Sequence, residues 1–239
     1  MKIALLGYGK MGKAIEKIAL NRNHTISFKI TSKNLADIDS ISFENTDVII
    51  EFSRPESVLE NIYKAIDIKV PIVVGTTGWN DNIEKVEQDV QKAQTKLIHA
   101  SNFSVGVNLF FELNKKLASL MNQYSDYEVS MMEAHHLSKL DSPSGTAITL
   151  AEGILDHLDR KDTWNESVSP DRNEIGINAL RQPEVYGTHL INYESNIDKI
   201  EIKHIAKSRN GFALGSLIAA EFLVKQEPGV YTMKDVLKL

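Results

Sequence analysis

Apolar and polar positions follow two alternating periods from the start of the chain to residue 100. Short, continuous apolar runs at Lys2–Leu6, Thr25–Ile30, Asp47–Phe52, Val70–Val74 and Lys96–Ala100 have the length and β-branched content of strands. Between them, apolar residues recur at spacings of three and four. They do so across Lys13–Leu20, then at Val58, Leu59, Ile62, Ala65 and Ile66, then at Ile83, Val86, Val90 and Ala93. Pro55 suits the first turn of the middle helix, because its φ is already helical and it lacks an N–H that would go unpaired there. Buried strands alternating with amphipathic helices predict a parallel sheet covered on both faces.

Past Asn102 the pattern changes. Helical spacing over Val107–Met121 puts Phe110, Leu113, Leu117 and Leu120 on one side. Tyr127–Glu133 reads as a strand, and Ser144 can cap a helix running to Leu158. Residues 159–173 are polar and read as loop. Glu174–Leu180, Tyr186–Tyr193 and Asp198–Ala206 then follow as extended runs with no helix between them, which predicts an antiparallel or mixed sheet. One face of that sheet is apolar and needs covering. Phe212–Val224 reads as a closing helix that returns to the first domain. The expected fold class is α/β. A Rossmann-like dinucleotide-binding domain takes residues 1–104 and 212–239, and a second α+β domain on an open mixed sheet takes residues 105–211.

Composition narrows the function classes. The 239 residues carry 27 Lys and Arg against 32 Asp and Glu, a net charge of −5, which is a poor match for coating nucleic acid. There is no cysteine, so a disulfide scaffold, a thiolate nucleophile and Cys-ligated metals are excluded. The absence fits a reducing cytoplasm. The apolar run after Lys2 is shorter than the core of a signal peptide, and no stretch has the length of a membrane span. A soluble cytoplasmic protein is expected, with no membrane partner.

Gly7-Tyr8-Gly9-Lys10-Met11-Gly12 follows a strand and opens a helix, the context in which a G-x-G-x-x-G loop receives a pyrophosphate. An acid that binds the ribose 2′-hydroxyl belongs roughly 20 residues further on. None occurs from Lys17 through Ala36, and Ser32-Lys33-Asn34 occupies the turn instead. With no carboxylate to repel a 2′-phosphate and with Lys33 to pair with it, NADPH or both cofactors are expected. Lys33 reads equally well as a solvated loop lysine. Gly75-Thr76-Thr77-Gly78 and Ala100-Ser101-Asn102-Phe103 also follow strands, where open α/β sheets bind ligands. Each reads as a turn or helix cap when taken alone.

The stretch from Glu133 to Ala147 carries the most chemistry. His135, His136 and Lys139 crowd together, and Ser144-Gly145-Thr146 opens a helix whose N–H groups suit a carboxylate. A site for an anionic substrate beside a proton donor competes here with a solvated polar loop before a capped helix. A metal site is disfavoured, because neighbouring side chains on a strand point to opposite faces. No metal is expected. A serine-hydrolase elbow is dismissed, since Ser142 stands where the leading glycine would be. Asp47 and Glu51 read as a strand-edge charge and a supporting residue.

EAHHLSKLDSPSGTA at 133–147 resembles the signature stretch of the 4-hydroxy-tetrahydrodipicolinate reductase family, also called dihydrodipicolinate reductases. GYGKMG at 7–12, EFSRP at 51–55, GTTG at 75–78, ASNFSVGVN at 100–108, YGTH at 186–189 and SRNGFALGSLIAA at 208–220 line up in the same order. The resemblance therefore covers nearly the whole chain. It implies a reductase that passes a hydride from NADPH or NADH to C4 of a cyclic dicarboxylate with loss of its 4-hydroxyl. It also implies a place in lysine and diaminopimelate biosynthesis, and a homotetramer built through the second sheet. By position, His135 matches the proton donor, Lys139 a second donor and substrate ligand, and His136 a substrate contact. Ser144, Gly145 and Thr146 match the cradle for a substrate carboxylate. Gly75, Thr76, Thr77 and the loop from Ala100 through Ser101 and Asn102 to Phe103 match cofactor contacts on the nicotinamide side. Two departures bear on cofactor choice. Many relatives space the loop G-x-x-G-R-M-G, whereas here the first glycine sits one residue closer and Lys10 replaces the arginine. The acidic ending of the second strand is also missing. An amino-acid dehydrogenase of the same architecture would share GYGKMG but has no reason to carry the histidine stretch. A non-catalytic nucleotide sensor would need neither the histidine pair nor the second domain.

Overall fold

The computed structural model describes residues 1–167 and 171–239, which divide into two compact units. Met1–Val105 and Arg209–Leu239 form one, and Gly106–Ser208 the other. The first runs β1 (Lys2–Leu6), α1 (Lys10–Asn21), β2 (Thr25–Ile30), β3 (Val48–Glu51), α2 (Pro55–Asp67), β4 (Ile72–Val74), α3 (Ile83–Ala93) and β5 (Lys96–His99). The second contains α4 (Val105–Met121), β6 (Glu128–His135), α5 (Gly145–Leu155), β7 (Thr163–Asn165), β8 (Glu174–Arg181), β9 (Thr188–Glu194) and β10 (Lys199–Ile205). The chain then returns through α6 (Asn210–Leu223), β11 (Gly229–Tyr231) and α7 (Met233–Leu237) to complete the first unit.

The first sheet is six-stranded and parallel, in the order β11-β5-β4-β3-β1-β2. Successive strand residues feed opposite cores. Ala4 and Leu6 join Ile49, Val58 and Ile62 on the α2–α3 side, while Ile3 and Leu5 join Ile15, Ile50 and Leu217 on the α1–α6 side. Strand order reverses between β1 and β3, which is where such sheets take their ligands.

The second sheet is five-stranded and mixed, β10-β9-β6-β8-β7. Its β6–β8 and β7–β8 pairs are parallel, and its β6–β9 and β9–β10 pairs antiparallel. Val129, Met131, Ile175, Ile177, Ile191 and Tyr193 share one face, packed beneath α4 and α5. The apolar face expected to call for a partner is thus already covered within the unit.

Further differences from the sequence reading have local causes. The α4 helix buries Val107, Phe110, Asn114, Ala118 and Met121, while Leu113 and Leu120 are exposed. The buried stripe is narrow because α5 comes close: Asn114 donates to the Leu150 carbonyl at 2.8 Å, and Gly153 lies against Lys115 and Asn114. The α5 helix ends at Leu155 rather than Leu158. The stretch expected as loop contains β7, fastened by the buried Lys161, which donates to Glu128 at 3.0 Å and to the Glu174 carbonyl at 3.1 Å. Within that stretch, 168–170 lie outside the described residues. The short β11 and α7 were too brief to read from periodicity. No helix among the described residues is long and apolar enough to cross a membrane.

Candidate active site

In the first unit, the glycine loop joins β1 to α1 at the reversal of strand order. The N–H groups of Gly7 and Tyr8 both donate to the Ile30 carbonyl, at 3.1 and 2.9 Å, and Gly9 N–H donates to the Gly7 carbonyl at 2.8 Å. Gly7 has φ +89°, and a Cβ there would overlap the Phe52 carbonyl at the end of β3. A Cβ on Gly12 would lie 2.8 Å from the Gly7 carbonyl oxygen. A Cβ on Gly9 would meet nothing within 4 Å, so the loop is tight on its protein side and open on the other. That opening fits the approach of a pyrophosphate to backbone N–H groups.

A cavity of about 660 Å³ begins at this loop and reaches Thr31, Ser32 and Arg54. The end of β2 supplies Thr31 and Ser32 to it, neither of them acidic. Lys33 is exposed beside them, with its N–H on Thr31 Oγ1 at 3.2 Å. Tyr8 leans back onto α1 and donates its hydroxyl to Glu16, which also pairs with Lys29 at 2.5 Å. Lys10 is exposed and Met11 packs into the core. Thr76 and Thr77 gather with Ala100 and Ser101 around a smaller pocket, while a Cβ on Gly75 would strike the Phe52 ring. Asn102 and Phe103 turn inward. Asn102 Oδ1 accepts from Ser104 N–H at 2.9 Å, and the buried Phe103 ring meets Phe52 edge-on. Glu51, also buried, accepts from Ser53 N–H at 2.9 Å and from Asn61 at 3.2 Å, which braces the turn after β3.

In the second unit, strand register assembles the polar groups. Side chains alternate across a strand, so Val129, Met131, Glu133 and His135 share the face that α4 and α5 cover. Register sets Glu133 beside His189, His135 beside Arg181, and His189 beside His204. The row is therefore apolar along its length and turns polar at one end. The Glu133 side chain there is wholly buried. Its Oε1 accepts from Ser144 N–H at 3.0 Å and lies 3.4 Å from Arg181. Its Oε2 accepts the Ser144 hydroxyl and lies 3.3 Å from His135 Nδ1 and 3.7 Å from His189 Nε2. The His135 contact misses hydrogen-bond alignment. The His135 and His189 rings meet edge-on at 5.2 Å. Ser144 Oγ also accepts from Ala147 N–H at 3.2 Å, capping α5 as its sequence position implied.

Of the expected residues, His135, Ser144, Gly145 and Thr146 come together around Glu133 and the start of α5. Lys139 holds both Asp141 oxygens at 2.7 Å. His136 is half-buried, with Nδ1 3.0 Å from Ser138 Oγ. The sequence reading missed Glu133, Arg181 and His189 as parts of the site. The period-two spacing of Glu133 to His135, and of His189 to Ile191 and Tyr193, was the available signal. Glu133, His135 and His189 also form a group with metal-ligand spacing, which the expectation of no metal did not foresee. Ser144 and Arg181 already occupy the carboxylate.

Charge in this row is tuned by burial. Burial raises the Glu133 pKa, but the contacts with His135 and Ser144 outweigh it and hold the carboxyl at about 2. Burial, and after it the charge of His135, push His189 down to about 3, so it stays neutral in the folded protein at physiological pH. Both shifts make the unfolded chain the stronger proton binder below their ordinary values of 4.5 and 6.5. Stability is then full above about pH 6.5 and falls through pH 3 for His189, with Glu133 adding the same sign between 4.5 and 2. By pH 4 the loss reaches about 3 kcal/mol. Urea midpoints at pH 7 and pH 4 measure it. A His189→Gln variant with the wild-type pH slope would contradict the assignment.

Comparison with known proteins identifies the family and the fold. Residues 1–103 match the family model described as dihydrodipicolinate reductase, N-terminus, and residues 106–237 match its C-terminus. The chain is 52% identical over 237 residues to the 4-hydroxy-tetrahydrodipicolinate reductase of Christiangramia forsetii, covering 99% of this chain and 98% of that one. It is 35% identical to the enzyme of the same name from Methanosarcina acetivorans, over 99% of this chain and 89% of that one. Its fold is similar to a dipicolinate-bound dihydrodipicolinate reductase from Paenisporosarcina sp. TG-14, with TM-score 0.76 and 22% identity over 97% of each chain.

Proposed function

We propose a division of labour for these residues from one premise: the chain belongs to the 4-hydroxy-tetrahydrodipicolinate reductase family. It reduces 4-hydroxy-tetrahydrodipicolinate to tetrahydrodipicolinate with a nicotinamide dinucleotide, in lysine and diaminopimelate biosynthesis. When bound, the reduced nicotinamide supplies the hydride that arrives at C4. The loop from Gly7 to Gly12 receives the pyrophosphate, with the open side at Gly9 as support. Thr76 and Thr77, with Ala100 and Ser101, hold the nicotinamide end. Thr76 Oγ1 is buried with no hydrogen-bond partner among the described residues, a polar atom that a carboxamide or ribose would satisfy.

A cyclic dicarboxylate, the ligand class named for the Paenisporosarcina structure, is the substrate. The 4-hydroxyl leaves as water to give a conjugated imine; a hydride added at its C4 leaves an electron-rich C3 that must take a proton, and His135 gives it. Gly145 and Thr146 cradle one carboxylate at the start of α5, where the helix dipole favours an anion. His136 and Lys139 contact the substrate, Lys139 exchanging Asp141 for it. Ser144 contributes through the cap and Glu133. The observation that carries this reading is the buried row that sets a histidine beside a capped helix start. A coupled assay with freshly made 4-hydroxy-tetrahydrodipicolinate should consume reduced cofactor. Turnover of an amino acid instead would place the chain among dehydrogenases of the same architecture.

NADPH is used at least as well as NADH, since β2 ends without an acid and Lys33 stands beside Thr31 and Ser32. Lys33→Glu should raise the KM for NADPH by about tenfold or more, because a charge-assisted contact is lost. The KM for NADH should change little. Equal effects on both cofactors would rule out a contact with the 2′-phosphate.

The protein works as a cytoplasmic homotetramer assembled through its second unit, a reading supported by the family resemblance rather than by an uncovered apolar face. Light scattering at micromolar concentration should return four chains, and a monomer would contradict it.

A further inference from the structure

We infer that Glu133 is the positioning residue for the His135 ring, that it leaves Nε2 as the nitrogen that works, and that Gly187 keeps that nitrogen clear. The inference rests on the assignment of His135 as proton donor.

Glu133 precedes His135 by two positions on β6, so both side chains lie on the same face. A wholly buried carboxylate carries a desolvation cost of several kcal/mol unless partners offset it. Here the partners come from separate elements: Ser144 at the start of α5, Arg181 on β8, His189 on β9 and His135 itself. One level along the same face, Met131, Ile177 and Ile191 fill the corresponding places with apolar side chains. The fold therefore tolerates apolar groups in this row, and the charge at Glu133 needs a reason beyond packing.

Orientation supplies that reason. Nδ1 of His135 faces Glu133 at 3.3 Å. Nε2 faces Gly187, where a Cβ would lie only 3.2 Å away. Any side chain at 187 would crowd Nε2, so the glycine opens the side of the ring opposite the carboxylate. Ser144 binds Glu133 through both its N–H and its hydroxyl while capping α5. One buried carboxylate thus fixes the ring and the proposed carboxylate cradle in a single frame. Positions of this kind matter because misplacing a reacting group by about 1 Å can cost about 10²-fold in rate.

The charged and titratable groups around the ring are Glu133 on its own strand, Arg181 on β8, His189 on β9 with His204 on β10 behind it, and Lys139 paired with Asp141 in the following loop. Glu133 is the anion nearest the ring, at 3.3 Å. Glu133→Gln keeps the shape and removes that anion. It should lower kcat about 10²-fold with cofactor affinity near wild type. Nitrogen-15 NMR of the folded variant should show the neutral His135 ring no longer held as the Nδ1–H tautomer, because the carboxylate facing Nδ1 is gone. Gly187→Ala should lower kcat and keep the Nδ1–H tautomer. A purely structural role would move unfolding midpoints and leave the tautomer as it is. A folded Glu133→Gln with wild-type kcat and tautomer overturns the inference.

If Glu133→Gln does not fold, nitrogen-15 NMR of histidine-labelled wild-type protein at alkaline pH decides. A neutral His135 protonated on Nδ1 supports the inference, and protonation on Nε2 overturns it. Failure of the underlying assignment looks different: His135→Gln would itself keep turnover. An inactive His135→Gln beside unaffected Glu133→Gln and Gly187→Ala removes this inference alone.

Discussion

Replacing His135 with Gln lowers kcat by about 10²–10⁴-fold, the contribution of a positioned general acid, and leaves cofactor affinity near wild type. Glutamine keeps much of the volume and polarity of the ring but has no proton to exchange near neutral pH. His135 is buried to 8% exposure at the end of β6, so it is no solvated loop residue. The alternative is then a histidine that only fills the row beside Glu133 and His189. Such a residue would show its loss in the urea midpoint and spare turnover at saturating substrate. Lys139→Ala makes the contrast sharper. Its ammonium is held by the exposed Asp141, so its loss should raise the substrate KM as well as lower kcat, with little change in stability. Steady-state kinetics of both variants, beside their unfolding curves, separate these roles. Near wild-type kcat in His135→Gln at neutral pH would end the catalytic assignment while leaving the family membership intact.

Changing Gly7 to Ala costs about 3 kcal/mol or more of stability and abolishes nucleotide binding. Two penalties add here. The φ of +89° is one that side chains other than glycine's avoid, at about 1–3 kcal/mol. The new Cβ also overlaps the Phe52 carbonyl, and overpacking of that kind costs about 1–3 kcal/mol. The backbone has little room to yield. Gly7 and Tyr8 N–H are both tied to the Ile30 carbonyl, and Phe52 N–H is tied to the Leu6 carbonyl. Gly9→Ala is the matched control, because its Cβ meets no atom within 4 Å. It should fold with a near wild-type urea midpoint and still bind NADPH poorly, since the methyl occupies the space assigned to the pyrophosphate. Fluorescence titration with NADPH and urea unfolding of the pair provide the test. Equal stability of Gly7→Ala and wild type would contradict the packing described for β1 and β3.

The sequence alone specified those features whose information is contiguous. The β1 and β2 strands, the α2 and α3 helices and the glycine loop each carry their signal within a few neighbouring residues, as apolar periodicity, a proline or a glycine. The helix start at Ser144 was legible for the same reason, since its cap and the His135, His136 and Lys139 cluster before it sit within one short segment. The α4 helix shows where this fails. Periodicity gave it a helical stripe, but which side faced inward depended on how closely α5 could approach, and Asn114, Ala118 and Gly153 settled that. Tertiary structure alone decided that Glu133, Arg181 and His189 meet, because strand register joins residues far apart in the chain and a shift of one position would send each to the opposite face. It also decided that Gly7 abuts Phe52, since two separate strand ends converge at the reversal of strand order. Local sequence sets what each segment can form; the pairing of segments sets which side chains share a site.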